Sequence, residues 1–195
     1  MAKKHSFKSV LIGDDSVTLE CFHLLLEMGN QVSWIVTCNP KIEHCASILG
    51  VKYSRDLAPL RLFLETNSID YLFSIVNNKI IPEDVIEKIS VLCINYHNSL
   101  LPTYAGLHAV PMAILNQEVQ HGITWHVMTN EIDAGDILKQ KTFPVDHDET
   151  AHTLYVKCSF AAIQTFRELV VEIQHGSYQR SPQDMSLRTF FGKEY

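Results

Sequence analysis

The chain has 195 residues, of which 46% are hydrophobic and 19% are charged. A charged fraction below the roughly 25% of an average soluble domain, together with this apolar content, excludes a disordered, collagen-like or coiled-coil chain. Lys and Arg total 16 against 22 Asp and Glu, which gives a formal net charge of −6. Because proteins that bind nucleic acid through its phosphates usually carry excess cations, we expect no nucleic-acid partner.

The chain lacks the features of export, membrane insertion and zinc binding. Asp14 and Asp15 follow the first short apolar run directly, so the N-terminus does not match a secretory signal. No stretch approaches the roughly 20 apolar residues that cross a bilayer. A metal site around Cys38, His44 and Cys45 would lack a second ligand pair at zinc spacing. We therefore expect a cytoplasmic protein with no membrane contact and no bound metal.

Short apolar runs alternate with amphipathic stretches in the first half of the chain. Buried strands are predicted at residues 10–12, 32–36, 71–76 and 91–95. Helices are predicted at residues 17–28, 45–49, 57–65 and 82–88, the first with Asp15 or Ser16 as its N-cap. Apolar strands separated by helices indicate a parallel sheet that is covered on both faces.

The second half has a different pattern. Residues 121–128 and 137–145 are predicted to be strands joined by a polar connection, which indicates an antiparallel or mixed addition to the sheet. A long helix is predicted over residues 150–174. We expect an α/β fold with a doubly wound, mostly parallel, Rossmann-like sheet, a mixed second half and a long C-terminal helix. Residues 1–180 are predicted to form one domain, followed by a tail or linker at 181–195.

The turn after the first strand reads Gly13-Asp14-Asp15-Ser16. It holds one glycine and two carboxylates, and the carboxylates would repel a pyrophosphate group at the helix N-terminus. This turn argues against a nicotinamide- or flavin-dependent dehydrogenase.

Polar side chains at the end of the fourth predicted strand indicate a functional site. Side chains alternate between the two faces of a strand, so Asn95 and His97 lie on the same face. They lie at the edge of the sheet where open α/β sheets bind ligands. Asp133 lies in a turn between the two later strands. An amide can donate a hydrogen bond to an oxyanion, and a carboxylate raises the basicity of a nearby imidazole. Spacing alone does not show that the three meet, and a histidine at a strand end is more often structural.

These residues belong to a longer pattern that resembles the 10-formyltetrahydrofolate-dependent formyltransferases over about residues 8–178. The pattern is Asn95-x-His97, Ser99-Leu-Leu-Pro102-x-Tyr104-x-Gly106 and Asp133-x-Gly135. The resemblance implies that Asn95 is the oxyanion-binding amide, His97 the catalytic imidazole and Asp133 its carboxylate partner. It makes 10-formyltetrahydrofolate the co-substrate and residues 1–180 a catalytic domain.

The resemblance also implies two backbone edges that bind the pterin ring of the folate. The residues of these edges are Lys79, Ile80 and Ile81, and Thr129, Asn130, Glu131, Ile132 and Asp133. His108 either faces the acceptor channel or caps a turn. His126, which lies beside Trp125, is predicted to be a packed residue, and Gln140 to have a structural role.

The acceptor amine is indicated by departures from the family pattern. The turn at residues 13–16 lacks the glycine- and serine-rich loop of glycinamide ribonucleotide formyltransferases. We also expect the chain to lack the carboxy-terminal domain of methionyl-tRNA and sugar-nucleotide enzymes. Residues 121–126 and 150–158 are most similar to formylation domains of nonribosomal peptide synthetases, which implies carrier-protein and adenylation-module partners. The alternatives are a methionyl-tRNA- or sugar-nucleotide-type enzyme without that domain, and a catalytically inactive folate-binding domain.

Overall fold

The computed structural model of the protein describes residues 5–192. The chain divides into two compact units, which are Met1–Ile94 with Ile173–Gly176, and Asn95–Glu172 with Ser177–Tyr195. Residues 1–4 at the N-terminus and residues 193–195 of the predicted tail lie outside the described residues.

The first unit alternates strands and helices, as predicted. Its strands are β1 (Lys8–Ile12), β2 (Gln31–Val36), β3 (Lys52–Ser54), β4 (Ile69–Ser74) and the first part of β5 (Ile89–His97). Its helices are α1 (Ser16–Glu27), α2 (Pro40–Ile48), α3 (Ala58–Leu64) and α4 (Glu83–Ile86). The strands follow the order β3-β2-β1-β4-β5, and the pairs β1–β2, β1–β4 and β2–β3 are parallel.

Local capping explains where two helices begin. Asp15 is the N-cap of α1, because its carboxylate accepts from the Val17 N–H at 2.9 Å. Helix α2 begins five residues earlier than the predicted start at residue 45, so that prediction was wrong. The Asn39 side chain caps the N–H of Lys41 at 2.9 Å, and Pro40 occupies the first helical position, where its missing N–H costs nothing.

Two strands of the first unit differ from prediction. The edge strand β3 was not predicted, because its three residues are too few to show an alternating pattern. Strand β5 extends to His97, two residues beyond the predicted end at residue 95. The last three residues of β5 belong to the second unit.

The second unit contains the antiparallel pair that the sequence indicates. Strands β7 (Gln120–Val127) and β8 (Ile137–Pro144) run antiparallel, in the order β5-β7-β8. Its other elements are β6 (Ala105–Gly106), α5 (Ala109–Leu115), α6 (Ala151–His175), a 3-10 turn (Met185–Leu187) and β9 (Phe190–Phe191). Helix α6 matches the predicted long helix, and its last residues belong to the first unit. Helix α5 and the short strands β6 and β9 were not predicted.

Trp125 anchors the core of the second unit. Its side chain is fully buried in β7, and its indole N–H donates to the Thr165 hydroxyl of α6 at 3.0 Å. The indole ring also packs against Phe166 and Tyr96, with ring centroids 5.0 and 5.2 Å apart. These contacts fix β7 against α6 and against the end of β5, and so set the position of the residues that follow Trp125. None of the helices within residues 5–192 combines the length and apolarity that a bilayer crossing requires.

Candidate active site

Two polar side chains lie on one face at the end of β5. Asn95 is half-buried, whereas His97 is only 7% exposed. The Nε2–H of His97 donates to the carbonyl oxygen of Tyr104 at 2.7 Å. Because a carbonyl can only accept, this contact requires a proton on Nε2 and leaves Nδ1 as the nitrogen that can take up a second proton.

The loop that follows β5 holds this carbonyl in place. Tyr104 has a φ of 57°, a left-handed conformation that an ordinary side chain adopts only when its surroundings impose it. Its hydroxyl donates to Glu118 Oε1 at 2.5 Å and accepts from Asn116 Nδ2 at 2.8 Å. The Ser99 hydroxyl donates to the carbonyl of Thr103 at 2.6 Å. These bonds hold the Tyr104 hydroxyl and the backbone next to Tyr104 in place.

Asp133 meets Asn95 and His97 from the loop between β7 and β8. Its Oδ2 lies 3.4 Å from His97 Nδ1 and accepts from the Gly106 N–H at 2.8 Å. Its Oδ1 lies 3.4 Å from Asn95 Nδ2. Asp133 itself has a φ of 54°, which turns the loop so that the carboxylate points inward. The three residues named by the resemblance therefore converge on one buried point.

A second histidine, His126, contacts the same carboxylate. Its Nε2 lies 3.3 Å from Asp133 Oδ1 and 3.2 Å from Asn95 Nδ2, and its Nδ1 lies 3.0 Å from the carbonyl of Val127. Sequence reasoning assigned His126 to packing alone, and its side chain is indeed buried. The available signal was the one used for His97, namely a polar residue near the end of an otherwise buried strand.

The electrostatics of this cluster favour an ionised Asp133 beside a neutral His97. Burial raises the pKa of Asp133, but the hydrogen bond to His126, the positive charges that His97 and His126 carry once they are protonated at low pH, and the Gly106 N–H together lower it to about 2. Burial is the largest influence on His97 and lowers its pKa, against the opposing influence of Asp133. The pair is therefore a carboxylate and an uncharged ring that can accept a proton.

The predicted pterin-binding residues of the second unit form an exposed loop. The Thr129 hydroxyl donates to the carbonyl of Glu131 at 2.9 Å, and the apolar side chain of Ile132 is 52% exposed. Asn130 is also exposed. Of this set, Asp133 is the buried member, so the loop presents its side chains to solvent and its carboxylate to the interior.

The other predicted edge, residues 79–81, belongs to the first unit. The N–H and C=O of Lys79 are both bonded to the Asn77 side chain, at 2.9 and 2.8 Å. Ile80 is 82% exposed, whereas Ile81 is buried. A backbone contact to a ligand at this edge would therefore involve Ile80 and Ile81 rather than Lys79.

The structure separates the remaining sequence candidates. His108 precedes α5 with a φ of 61°, is exposed, and makes no side-chain capping hydrogen bond. His108 thus occupies the N-cap position of α5 without a capping side-chain bond, and its place beside the acceptor stays a prediction. Gln140 donates to the Leu101 carbonyl at 3.1 Å and to the Thr124 hydroxyl at 2.9 Å, which ties β8 to neighbouring backbone. Over residues 5–192 there is no group of three or more His, Cys, Asp or Glu side chains that could hold a metal ion.

Comparison with known proteins decides the family. The sequence model of the family described as "Formyl transferase" matches residues 63–170, which is more than half of the chain and includes Asn95, His97 and Asp133. The chain belongs to the formyl transferase family. The resemblance seen in the sequence is thereby confirmed.

Curated relatives of this formyl transferase chain include longer proteins. It is 31% identical over 201 residues to a methionyl-tRNA formyltransferase of Halalkalibacterium halodurans, a match that covers 94% of the chain and 63% of the relative. Across four such methionyl-tRNA formyltransferases, the matched part spans between 37% and 63% of the relative's length.

Solved structures confirm the predicted fold class. WlaRD, a sugar 3N-formyl transferase crystallised with dTDP and 5-N-formyl-THF, superposes with a TM-score of 0.81 and 25% identity. That match covers 97% of this chain and 71% of WlaRD. The N-formyltransferase of Helicobacter canadensis, in complex with folinic acid and dTDP-3-aminofucose, superposes with a TM-score of 0.83 over 96% of this chain and 71% of the other, at 24% identity.

Proposed function

We propose that this chain transfers a formyl group from 10-formyltetrahydrofolate to an amine, and that the amine is an aminoacyl group on a carrier protein. The observation that supports the transfer is the convergence of Asn95, His97 and Asp133. An amide donor, an uncharged imidazole and an ionised carboxylate are the groups that acyl transfer to an amine requires.

Asn95 is the neutral donor of the site. When bound, 10-formyltetrahydrofolate supplies a formyl carbon whose oxygen gains negative charge as an amine adds to it. Among the three residues Asn95 is the least buried. Its Nδ2 lies 3.4 Å from Asp133 Oδ1 and 3.2 Å from His126 Nε2, so one of its two N–H groups exchanges such a partner for that oxygen when the donor binds. A fixed donor of this kind contributes on the order of 3 kcal/mol to a reaction of this type.

His97 and Asp133 handle the proton. A neutral amine attacks and then loses a proton, which His97 Nδ1 can accept because Nε2 already donates to Tyr104. Asp133, with its pKa held at about 2, stays ionised throughout and stabilises the protonated ring. The ring can then return the proton to the nitrogen that leaves the formyl carbon.

The exposed residues of the two predicted backbone edges are chemically suited to bind a folate. A pterin is a flat ring with a polar edge, so it needs apolar contact on its face and backbone hydrogen bonds at its edge. Ile132 and Ile80 are apolar side chains that are 52% and 82% exposed, each within one of the predicted backbone edges. We propose that residues 79–81 and 129–133 provide these contacts.

The proposed acceptor is based on the charge of the turn at residues 13–16. The N–H groups at the start of α1 are the usual position for a substrate phosphate, but the Asp15 carboxylate already accepts from the Val17 N–H. Asp14 accepts from the Thr37 hydroxyl at 2.9 Å and from the Cys38 N–H at 2.5 Å. Two carboxylates and a net charge of −6 disfavour phosphate-bearing acceptors that must be held there.

A carrier-bound aminoacyl group also brings a phosphate, on its phosphopantetheine arm. That phosphate can stay at the protein surface while the arm reaches inward, so it requires no cation within the site. Similarity of residues 121–126 and 150–158 to formylation domains of peptide synthetases supports the same acceptor. We propose carrier-protein and adenylation modules as its partners.

A nucleotide-linked amino sugar is the second candidate acceptor. It is favoured by the sugar 3N-formyl transferase WlaRD, whose fold superposes with a TM-score of 0.81.

The deciding experiment compares kcat/KM for four acceptors at fixed 10-formyltetrahydrofolate: an aminoacyl thioester on a carrier protein, a dTDP-linked amino sugar, initiator methionyl-tRNA and glycinamide ribonucleotide. We expect the carrier-bound amine to be preferred, and the product mass distinguishes transfer to the amine from hydrolysis of the donor. A preference for the amino sugar would refute the carrier-protein acceptor and leave formyl transfer standing.

An inactive folate-binding domain is tested with the same protein. Titration with a non-reactive analogue of 10-formyltetrahydrofolate would show binding, and an absence of folate release with every acceptor would then refute the enzymatic function. His97→Ala serves as the control for background release.

A further inference from the structure

The segment after α6 contacts the loop that carries Asp133. This closing segment, residues 183–191, lies outside the stretch that the family sequence model matches. Gln183 Nε2 donates to the carbonyls of Asp133 and Gly135, at 3.0 and 2.7 Å. Arg188 donates from Nη2 to the carbonyl of Ile132 at 2.7 Å and from Nη1 to that of Asp133 at 3.4 Å. Two side chains therefore hold the backbone on both sides of the catalytic carboxylate.

The same segment also fixes the loop that carries the partner of His97. The Tyr104 N–H donates to the Thr189 hydroxyl at 2.7 Å, and the Ala105 N–H donates to the Thr189 carbonyl at 2.9 Å. Strand β9 pairs with β6 in parallel, and the ring of Phe191 stacks on that of Tyr104 with an interplanar angle of 8°. The Tyr104 carbonyl, to which His97 donates, is thus held from the closing segment.

The chemistry of these contacts indicates positioning more than burial of apolar surface. Leu187 and Phe190 of the segment are 60% and 47% exposed, whereas the Arg188 side chain is 15% exposed and also lies 3.7 Å from Glu131. A planar guanidinium can reach two successive carbonyls at once, which a lysine ammonium cannot do with the same geometry. Asp133 has a left-handed φ, so its backbone needs outside contacts to stay in place.

We propose that Arg188, assisted by Gln183, is a positioning residue for formyl transfer, which acts by holding Asp133 against His97 and the Gly106 N–H. This inference rests on the proposed function for its kinetic consequence. The structural part of the inference does not depend on the proposed function. The hydrogen bond from the Gly106 N–H to Asp133 Oδ2, at 2.8 Å, shows where the carboxylate lies whether or not the protein transfers a formyl group.

The test combines amide exchange with kinetics in the intact chain. In Arg188→Ala and Gln183→Ala we expect hydrogen exchange of the Gly106 amide, measured by NMR, to become about tenfold faster or more. The Leu107 amide donates to the Phe191 carbonyl at 2.8 Å, and its unchanged exchange would show that β9 is still paired. We expect kcat to fall on the order of 10- to 100-fold, as displaced catalytic groups do.

Two further variants separate positioning from general loss of stability. Arg180→Ala removes an exposed arginine just before the closing segment and should leave both readouts unchanged. Added guanidinium ion, at concentrations far below denaturing ones, should restore activity to Arg188→Ala and not to Asp133→Ala. Arg188→Lys should recover less activity than guanidinium does.

The outcomes are distinct. Unchanged Gly106 exchange in both variants would overturn the inference, and so would faster exchange with an unaltered kcat. If the wild-type protein transfers no formyl group to any acceptor, the proposed function is refuted. Faster Gly106 exchange in the two variants would still support the holding of Asp133 by Arg188 and Gln183.

Discussion

Asp133→Asn tests the central interaction of the site, because it removes the charge while keeping the shape. The carboxylate is 8% exposed, and its pKa is held at about 2 against an ordinary value of 3.8. At about 1.4 kcal/mol per pKa unit, this difference corresponds to about 2 kcal/mol that the ionised group contributes to the folded state. The asparagine oxygen can still accept from Gly106, so the loop should keep its path.

The pH dependence of this contribution has a definite sign. A depressed carboxylate pKa adds stability that is fully present above the ordinary value of 3.8 and is lost as the pH falls toward about 2. We therefore expect Asp133→Asn to lower the free energy of unfolding by at most about 2 kcal/mol in the range above pH 4, where the carboxylate is ionised. Urea unfolding at a series of pH values should show this difference shrinking below about pH 4.

The same substitution should impair proton handling. Without the carboxylate, the protonated ring of His97 loses its stabilising partner, and kcat should fall about 10²- to 10⁴-fold. Formation of N-formyl product in single-turnover experiments measures this directly. Turnover within about tenfold of wild type, or a stability difference that does not change with pH, would refute the assignment of Asp133 as an ionised partner of His97.

Three further predictions address the other groups. Asn95→Ala should lower kcat roughly 10²- to 10³-fold with little change in the Kd of a non-reactive folate analogue, and a kcat near wild type would contradict its role as oxyanion donor. Burial lowers the pKa of His97 from 6.5, and a protonated ring cannot accept the proton. The acidic limb of kcat/KM, measured with an acceptor amine that stays neutral well below pH 6.5, should therefore lie below pH 6.5. Gly135→Ala places a Cβ 1.9 Å from the carbonyl oxygen of Val127 and should lower kcat about as much as Asp133→Asn does. Gly176→Ala is the control, because its Cβ would meet no atom within 4 Å. Its φ of +64° strains an alanine, so this variant should lower stability and leave kcat unchanged.

The sheet and the pair of polar residues at the end of β5 could both be predicted from the sequence, because each depends on a regular repeat along the chain. Apolar runs at regular spacing placed the parallel strands, and the period of two put Asn95 and His97 on one face. The position of Asp133 in a turn between two strands made it a candidate, but its contact with His97 was implied only by the resemblance, since it lies 36 residues beyond His97 and nothing in its spacing shows the contact.

Backbone conformation explains what the sequence did not reveal. The partner of His97 Nε2 is a main-chain carbonyl, which has no signature in a residue pattern, and Tyr104 and Asp133 both adopt positive φ without being glycine. His126 was assigned to packing because its neighbour Trp125 is a core residue. The pairing of β9 with β6 joins segments about 85 residues apart, beyond the range of any local pattern.

The buried charge of Asp133 links all of these groups into one unit. A buried carboxylate is tolerated only when hydrogen-bond donors or positive charges surround it. Here the Gly106 N–H and the Asn95 amide donate to Asp133, and the two histidine rings add positive charge when they are protonated. Groups that stabilise the charge are also the ones proposed to act on the substrate, so their contributions to rate cannot be independent. The combined variant Asn95→Ala with Asp133→Asn should therefore lose less activity than the product of the two single losses. Multiplicative losses in a double-mutant cycle of kcat/KM would instead mean that Asn95 and Asp133 act separately.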